Sequence, residues 1–203
     1  MFFRCWRMGR AVAAQILASH GQDQPPWQPA WNPDAHHEWE PVPVIEGYAD
    51  RIGVVTYEAD PEAPMNVLFG IEPRYSVECD NFQMPRRTAF PSASAYYLTF
   101  AHELIHATGA AHRLDRLRHV KPGKGVAREE IIATAGACLL LAYHRLTHQV
   151  PGSALSYIGA QVRRGELTRA ELKDVMAEAR RAVAFLQRSP PNRPPGYRMR
   201  AVL

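Results

Sequence analysis

Cysteine is scarce and scattered: the chain of 203 residues has three, Cys5, Cys79 and Cys138, and no CxxC pair. That excludes a thiolate framework of the zinc-finger kind and argues against a disulfide-stapled secreted domain. Any metal must be held by histidine and carboxylate. Long apolar runs are also missing. The longest, IIATAGACLLLAY at 131–143, falls short of the roughly 18 residues a membrane span needs. No membrane partner is expected, and the location expected is cytoplasmic. Arg4, Arg7 and Arg10 precede a short apolar patch, but Gln15 interrupts it and no small-residue cleavage site follows, so a signal peptide is not expected. Strong charge of one sign is absent too. A net charge of +4 permits a nucleic-acid partner without demanding one.

What remains is an ordinary globular composition, 46% hydrophobic and 22% charged, in a length suited to one domain with a real core. Residues 1–44 read as a short N-terminal helix at 11–19 and a Pro/Trp-rich arm or linker at 21–44. Trp27, Trp31 and Trp39 are expected to pin that arm to its own domain rather than to stack on bases. The domain proper is expected over 45–189. It begins with a short helix near 45–51 and a strand at 52–59. A hairpin follows, with strands 74–79 and 81–85 around Asp80. Four longer helices are expected: 92–109, one starting near Val126, 152–165 and 167–187. Thr168 and Glu171 form a capping box for the last. Residues 190–203 are Pro/Arg-rich and expected to be disordered.

The chemistry concentrates in TFAHELIHATGAAH, residues 99–112. Ser92 is a good N-cap and Gly109 a good C-cap, so the stretch is helical. Residues four apart share a helix face, so His102 and His106 can reach one metal ion, with Glu103 beside the open coordination position as general base. The opposite arc, Tyr97, Leu98, Ala101, Leu104, Ile105 and Thr108, faces the core. Zn2+ is the expected cofactor.

Two residues compete to be the third ligand. HELIHATGAAH fits HExxHxxGxxH, which would make it His112, but that pattern also needs a methionine turn, and Met176 and Met199 are unsuitable. Glu130 is the favoured alternative. It opens a helix that is apolar or small on all sides through Leu141, and a carboxylate entering the core needs a partner. Its neighbour Glu129 is expected to be solvated or paired with Arg128. A second histidine pair, His144 and His148, lacks the intervening glutamate and is read as a polar helix end. The connector HRLDRLRHVKPGKG at 112–125 is basic, and Arg113, Arg116, Arg118, Lys121 and Lys124 are expected to be largely solvated.

YYLTFAHELIHATGAAHRLDR followed by AREEIIATAGACLLLA resembles the zincin-like metallopeptidase domain of ArdC-type antirestriction proteins and TraC-type plasmid primases. RYSVECDNFQMPRRTAFPSASAYY and SYIGAQV extend the resemblance over about 45–188. It implies an α+β zincin-like fold, with a small antiparallel sheet packed on about four helices. The metal site would lie between the HExxH helix and a buried Glu-bearing helix. It also implies His102, His106 and Glu130 as ligands, Glu103 as base, and a gluzincin-like hydrolase acting on a protein or peptide substrate. An acid that tends to follow the ligand glutamate by a turn is replaced here by Thr134. The family's separate single-stranded-DNA-binding domain is expected to be reduced here to a remnant around PPWQPAW, so only a weak contact to such DNA is expected. A catalytically weak, metal-stabilised DNA- or protein-binding module is the alternative.

Overall fold

The computed structural model describes residues 31–32, 34–60, 62, 66, 71–147, 152–164 and 167–188. The helix expected at 11–19, Trp27, His148 and the tail from 190 lie outside them. The described helices are α1 (Pro43–Ile52), α2 (Ala93–Thr108), α3 (Lys124–Tyr143), α4 (Gly152–Arg163) and α5 (Arg169–Arg188). The strands are β1 (Val55–Glu58), β2 (Arg74–Ser76) and β3 (Asn81–Met84). Among the described residues no helix is long and apolar enough to cross a membrane.

Local chemistry explains most boundaries. Pro43 opens α1, where its missing N–H costs nothing, and Gly53 ends it in the left-handed region at φ 71°. Asp80 takes φ 47° at the end of the β2–β3 turn, a conformation aspartate tolerates better than most residues. Ser92 caps α2 by accepting from the Ala95 N–H at 3.2 Å. Thr168 and Glu171 close the expected capping box on α5, with Glu171 N–H donating to Thr168 Oγ1 at 3.2 Å and Thr168 N–H to Glu171 Oε2 at 2.7 Å.

The sheet order is β1-β3-β2. β2 and β3 form the expected antiparallel hairpin, with Tyr75 opposite Phe82. β1, however, runs parallel to β3, from Val55 opposite Asn81 to Glu58 opposite Met84. The sheet is therefore mixed and not antiparallel. The crossover that parallel strands need is supplied by the 59–80 segment, and strand patterning alone does not encode that choice.

Helix α2 lies between the sheet and α3, and α3 packs in turn on α5. Phe82 of β3 meets Phe100 of α2 edge to face at 5.0 Å. Twelve of the 16 residues of α2 are buried, His102 and Glu103 among them. The expected polar edge is thus enclosed by α3, and the helix has no solvated side. α3 is buried as expected. At Gly136 an added Cβ would lie 2.9 Å from Ile105 Cγ1, so the small residue sets how closely α3 approaches α2. The described part of the arm is pinned as expected. Trp39 Nε1 donates to Phe90 O at 3.1 Å and its ring meets Tyr96 at 5.2 Å, while Trp31 stacks on Phe90 at 6.4 Å. These anchors engage the segment leading into α2 and its first turn, away from His102 and His106.

Candidate metal centre

His102 and His106 sit one turn apart on α2, with their Nε2 atoms 3.0 Å apart and their rings nearly perpendicular, at 82°. Glu130 reaches them from the second turn of α3. Its Oε2 lies 3.3 Å from His102 Nε2 and its Oε1 3.4 Å from His106 Nε2. Among the described residues, these three form the group of potential ligands whose donor atoms lie within 4.8 Å of one another. Four-coordinate zinc with bonds of ~2.0–2.1 Å has donor–donor edges of about 3.3 Å. The separations of 3.0, 3.3 and 3.4 Å are each close to such an edge, with the carboxylate presenting Oε2 to His102 and Oε1 to His106. Two imidazole nitrogens and a carboxylate suit a borderline divalent cation, so the residues fit the metal their pattern implies.

The surroundings tune each group. Burial pushes the His102 imidazole down to about 4, against the pull of its Glu130 hydrogen bond. Burial would lower His106 as well, but the carboxylates of Glu130 and Glu129 outweigh it and raise the ring to about 10. Glu130 is held well below the usual carboxylate range: the two histidines overcome its desolvation. Glu103 is 4% exposed, and burial pushes its carboxyl up to about 7, with nearby His106 and the Tyr75 N–H opposing. That N–H of β2 donates to Glu103 Oε2 at 2.7 Å and anchors that oxygen. A carboxyl balanced near neutrality can both take and return a proton at physiological pH.

The residues around this group depart from sequence expectation in two places, at Glu129 and in the basic connector, and the less favoured ligand candidate stands apart. His112 does not join the histidine pair; its imidazole is 61% exposed and lies 3.4 Å from Asp80. Glu129 is neither solvated nor paired with Arg128. It is buried, 3.3 Å from His106 Nδ1, and ion-paired with Arg116 at 2.9 Å. Arg113 and Arg116 are not solvated members of a basic loop, since their side chains are 3% and 6% exposed. Arg113 grips both Asp80 oxygens at 2.7 Å and donates to the carbonyls of Ala107 and Ile52. Asp80 in turn accepts from Tyr75 Oη at 2.8 Å, which steadies the strand whose N–H holds Glu103. Tyr157 is buried in the core cluster. His144 is bound by Tyr48 Oη at 2.9 Å. One signal pointed to Glu129: like Glu130, it is a carboxylate in a helix with no solvated face.

A helix-borne HExxH, a glutamate from a second buried helix and a small mixed sheet beside them define a zincin-like architecture. The chain belongs to the zincin-like metallopeptidase family MPTase-PolyVal, whose profile matches residues 62–165. Two proteins of Escherichia coli described as DNA primase TraC are similar over part of the chain. One is 37% identical over 90 residues, covering 44% of this chain and 6% of the primase. The other is 33% identical over 113 residues, covering 55% and 11%. The antirestriction protein ArdC of plasmid R388 matches in structure. Its Mn(II)-bound form gives a TM-score of 0.54 at 27% identity, over 75% of this chain and 54% of ArdC. Its metal-free form gives 0.57 at 26% identity, over 76% and 53%. The chain thus spans a small part of the primases and about half of ArdC.

Proposed function

We propose that this chain is a zinc-dependent metallopeptidase that hydrolyses a peptide bond in a protein or peptide substrate. His102, His106 and Glu130 hold the metal and Glu103 is the general base. The observation that carries this reading is the convergence of two imidazole nitrogens and a carboxylate on one point, with a second, buried carboxylate next to His102 in the chain. When bound there, zinc supplies a Lewis acid for the scissile carbonyl and lowers the pKa of its water to about 7. Glu103 accepts the proton released at that water and returns it to the departing amine. Tyr75 N–H anchors one of its oxygens through both transfers. Burial favours the neutral form of the His102 ring, and zinc must displace the proton that Glu130 and Glu129 hold on His106.

The similarity to ArdC supports a setting in antirestriction or mobile-element biology, and the lack of a spanning helix among the described residues is in keeping with a cytoplasmic site. Thr134 favours a second reading, a metal-stabilised module that binds protein or single-stranded DNA weakly without hydrolysis. Threonine supplies no carboxylate there, and its hydroxyl donates to Glu130 O at 2.8 Å. The Glu103→Gln variant separates the two. Cleavage of a denatured protein library by the zinc-loaded chain, read by mass spectrometry of new termini, is expected in wild type and lost in the variant, with zinc content and fold unchanged. Equal cleavage patterns in both would overturn the peptidase mechanism. Absence of cleavage with an unchanged biological effect in the variant would establish the binding module.

A further inference from the structure

We propose that Arg116 and Glu129 are positioning residues that fix the His106 ring. The inference rests on His102, His106 and Glu130 being metal ligands. His106 directs Nε2 toward Glu130, which leaves Nδ1 as the ring's second polar atom. An imidazole that ligates through Nε2 keeps its proton on Nδ1 and needs an acceptor there. Glu129 Oε1 lies 3.3 Å from that nitrogen. The acceptor thus comes from the residue immediately before Glu130, and not from the turn after it.

Glu129 is itself held by a fork. Arg116 Nε donates to Oε2 at 3.1 Å and its NH2 to Oε1 at 2.9 Å, the bidentate geometry that fixes a carboxylate in plane. Both side chains are 6% exposed, so little water competes for these bonds. The guanidinium also donates to Ile105 O at 2.8 Å and Thr108 Oγ1 at 3.0 Å, both in the last turn of α2. Arg116 therefore ties the turn that carries His106 to the turn that carries Glu129 and Glu130. Gly109 leaves room for this return of the chain, because a Cβ there would sit 3.0 Å from the Arg116 NH2 atom and 2.9 Å from Leu117 Cγ. The basic connector is a clasp between the two metal-binding helices.

A clasp that merely holds helix ends together would give a different energetic pattern from one acting through Glu129. The test is zinc affinity of the whole chain, by titration of zinc(II) alone in competition with a chelating dye. It compares wild type, Glu129→Gln, Arg116→Ala, Arg116→Lys and the double variant Glu129→Gln/Arg116→Ala. Each of Glu129→Gln and Arg116→Ala is expected to weaken zinc binding about 10–100-fold. Arg116→Lys, which keeps the charge and loses the fork, should fall between wild type and Arg116→Ala. The double variant should bind no more weakly than the weaker single, because both changes act on His106 along one path. Unchanged affinity in Glu129→Gln would overturn the proposal. So would an Arg116→Ala loss of the same size with or without Glu129, which would make Arg116 a helix clamp only. Should Arg116→Ala fail to fold, by circular dichroism, the isosteric Glu129→Gln decides alone. A wild-type chain that takes up no zinc would instead overturn the metal-site reading beneath the proposal.

Discussion

Replacing Gly136 with alanine presses directly on the distance between the helix that carries His102 and His106 and the helix that carries Glu130. The new Cβ would meet Ile105 Cγ1 at 2.9 Å, Cδ1 at 3.0 Å and Cγ2 at 3.1 Å. Carbon pairs favour about 3.5–4.0 Å, so three contacts are too close by several tenths of an ångström or more. Ile105 is fully buried and β-branched, so turning χ1 exchanges one clashing carbon for another. Overpacking of this kind costs about 1–3 kcal/mol, and the better helix propensity of alanine offsets about 1 kcal/mol. The net loss of stability is about 0–2 kcal/mol, or a melting temperature lower by up to ~8 °C at ~2–4 °C per kcal/mol. Metal binding should suffer more. The strain is relieved by moving α3 away from α2, which carries Glu130 away from His102 and His106, whereas metal–ligand bonds tolerate only about 0.2 Å. A chelator-competition titration should show zinc affinity at least tenfold weaker. Ile105→Ala alone should cost about 2–5 kcal/mol, and adding it to Gly136→Ala should cost less than the sum of the two. A Gly136→Ala protein with raised melting temperature and unchanged zinc affinity would refute the claim that this glycine sets the inter-helix distance.

Two further outcomes follow from the structure. Burial would raise Asp80, but the bonds from Arg113 and Tyr75 outweigh it and hold the carboxyl below its usual range. A depressed folded pKa contributes stability above the unfolded value, ~3.9, and loses it as pH falls through the folded one. Urea unfolding of wild type should therefore lose more stability between pH 5 and 3 than Asp80→Asn does, and equal losses would contradict the pairing. Ser92→Ala removes the α2 cap at the far end of the helix from His106 and should cost about 1 kcal/mol in urea unfolding while leaving zinc affinity at the wild-type value. A parallel loss of affinity would show that the first turn of α2 positions the site.

The parts of this fold that were legible in the sequence are those with local causes. Ser92 and Gly109 bound α2 because caps act within one turn, and the His102–His106 spacing works because helix geometry is periodic. Glu130 was legible through a cost: a carboxylate in a helix with no solvated face needs a partner. The same cost applied to Glu129, but its partner Arg116 lies across a connector whose charge run reads as solvated. Arg113 was hidden in the same way, since its partner Asp80 belongs to a distant hairpin. The parallel pairing of β1 with β3 was not legible either, because the two strands are brought together by a crossover and not by a turn. His112 fits a sequence pattern, but the chain beyond Gly109 turns its imidazole toward Asp80.

The binding of a single divalent metal by two histidines of α2 and one glutamate of α3 underlies every role proposed above. It is tested most directly by the metal content of the purified chain, measured by mass spectrometry after zinc is added and excess removed, in wild type, Glu130→Ala and His112→Ala. About one zinc per chain is expected in wild type and in His112→Ala. Little or none is expected in Glu130→Ala, with helix content retained. Zinc lost in His112→Ala and kept in Glu130→Ala would contradict it, and so would a wild-type chain that retains no metal.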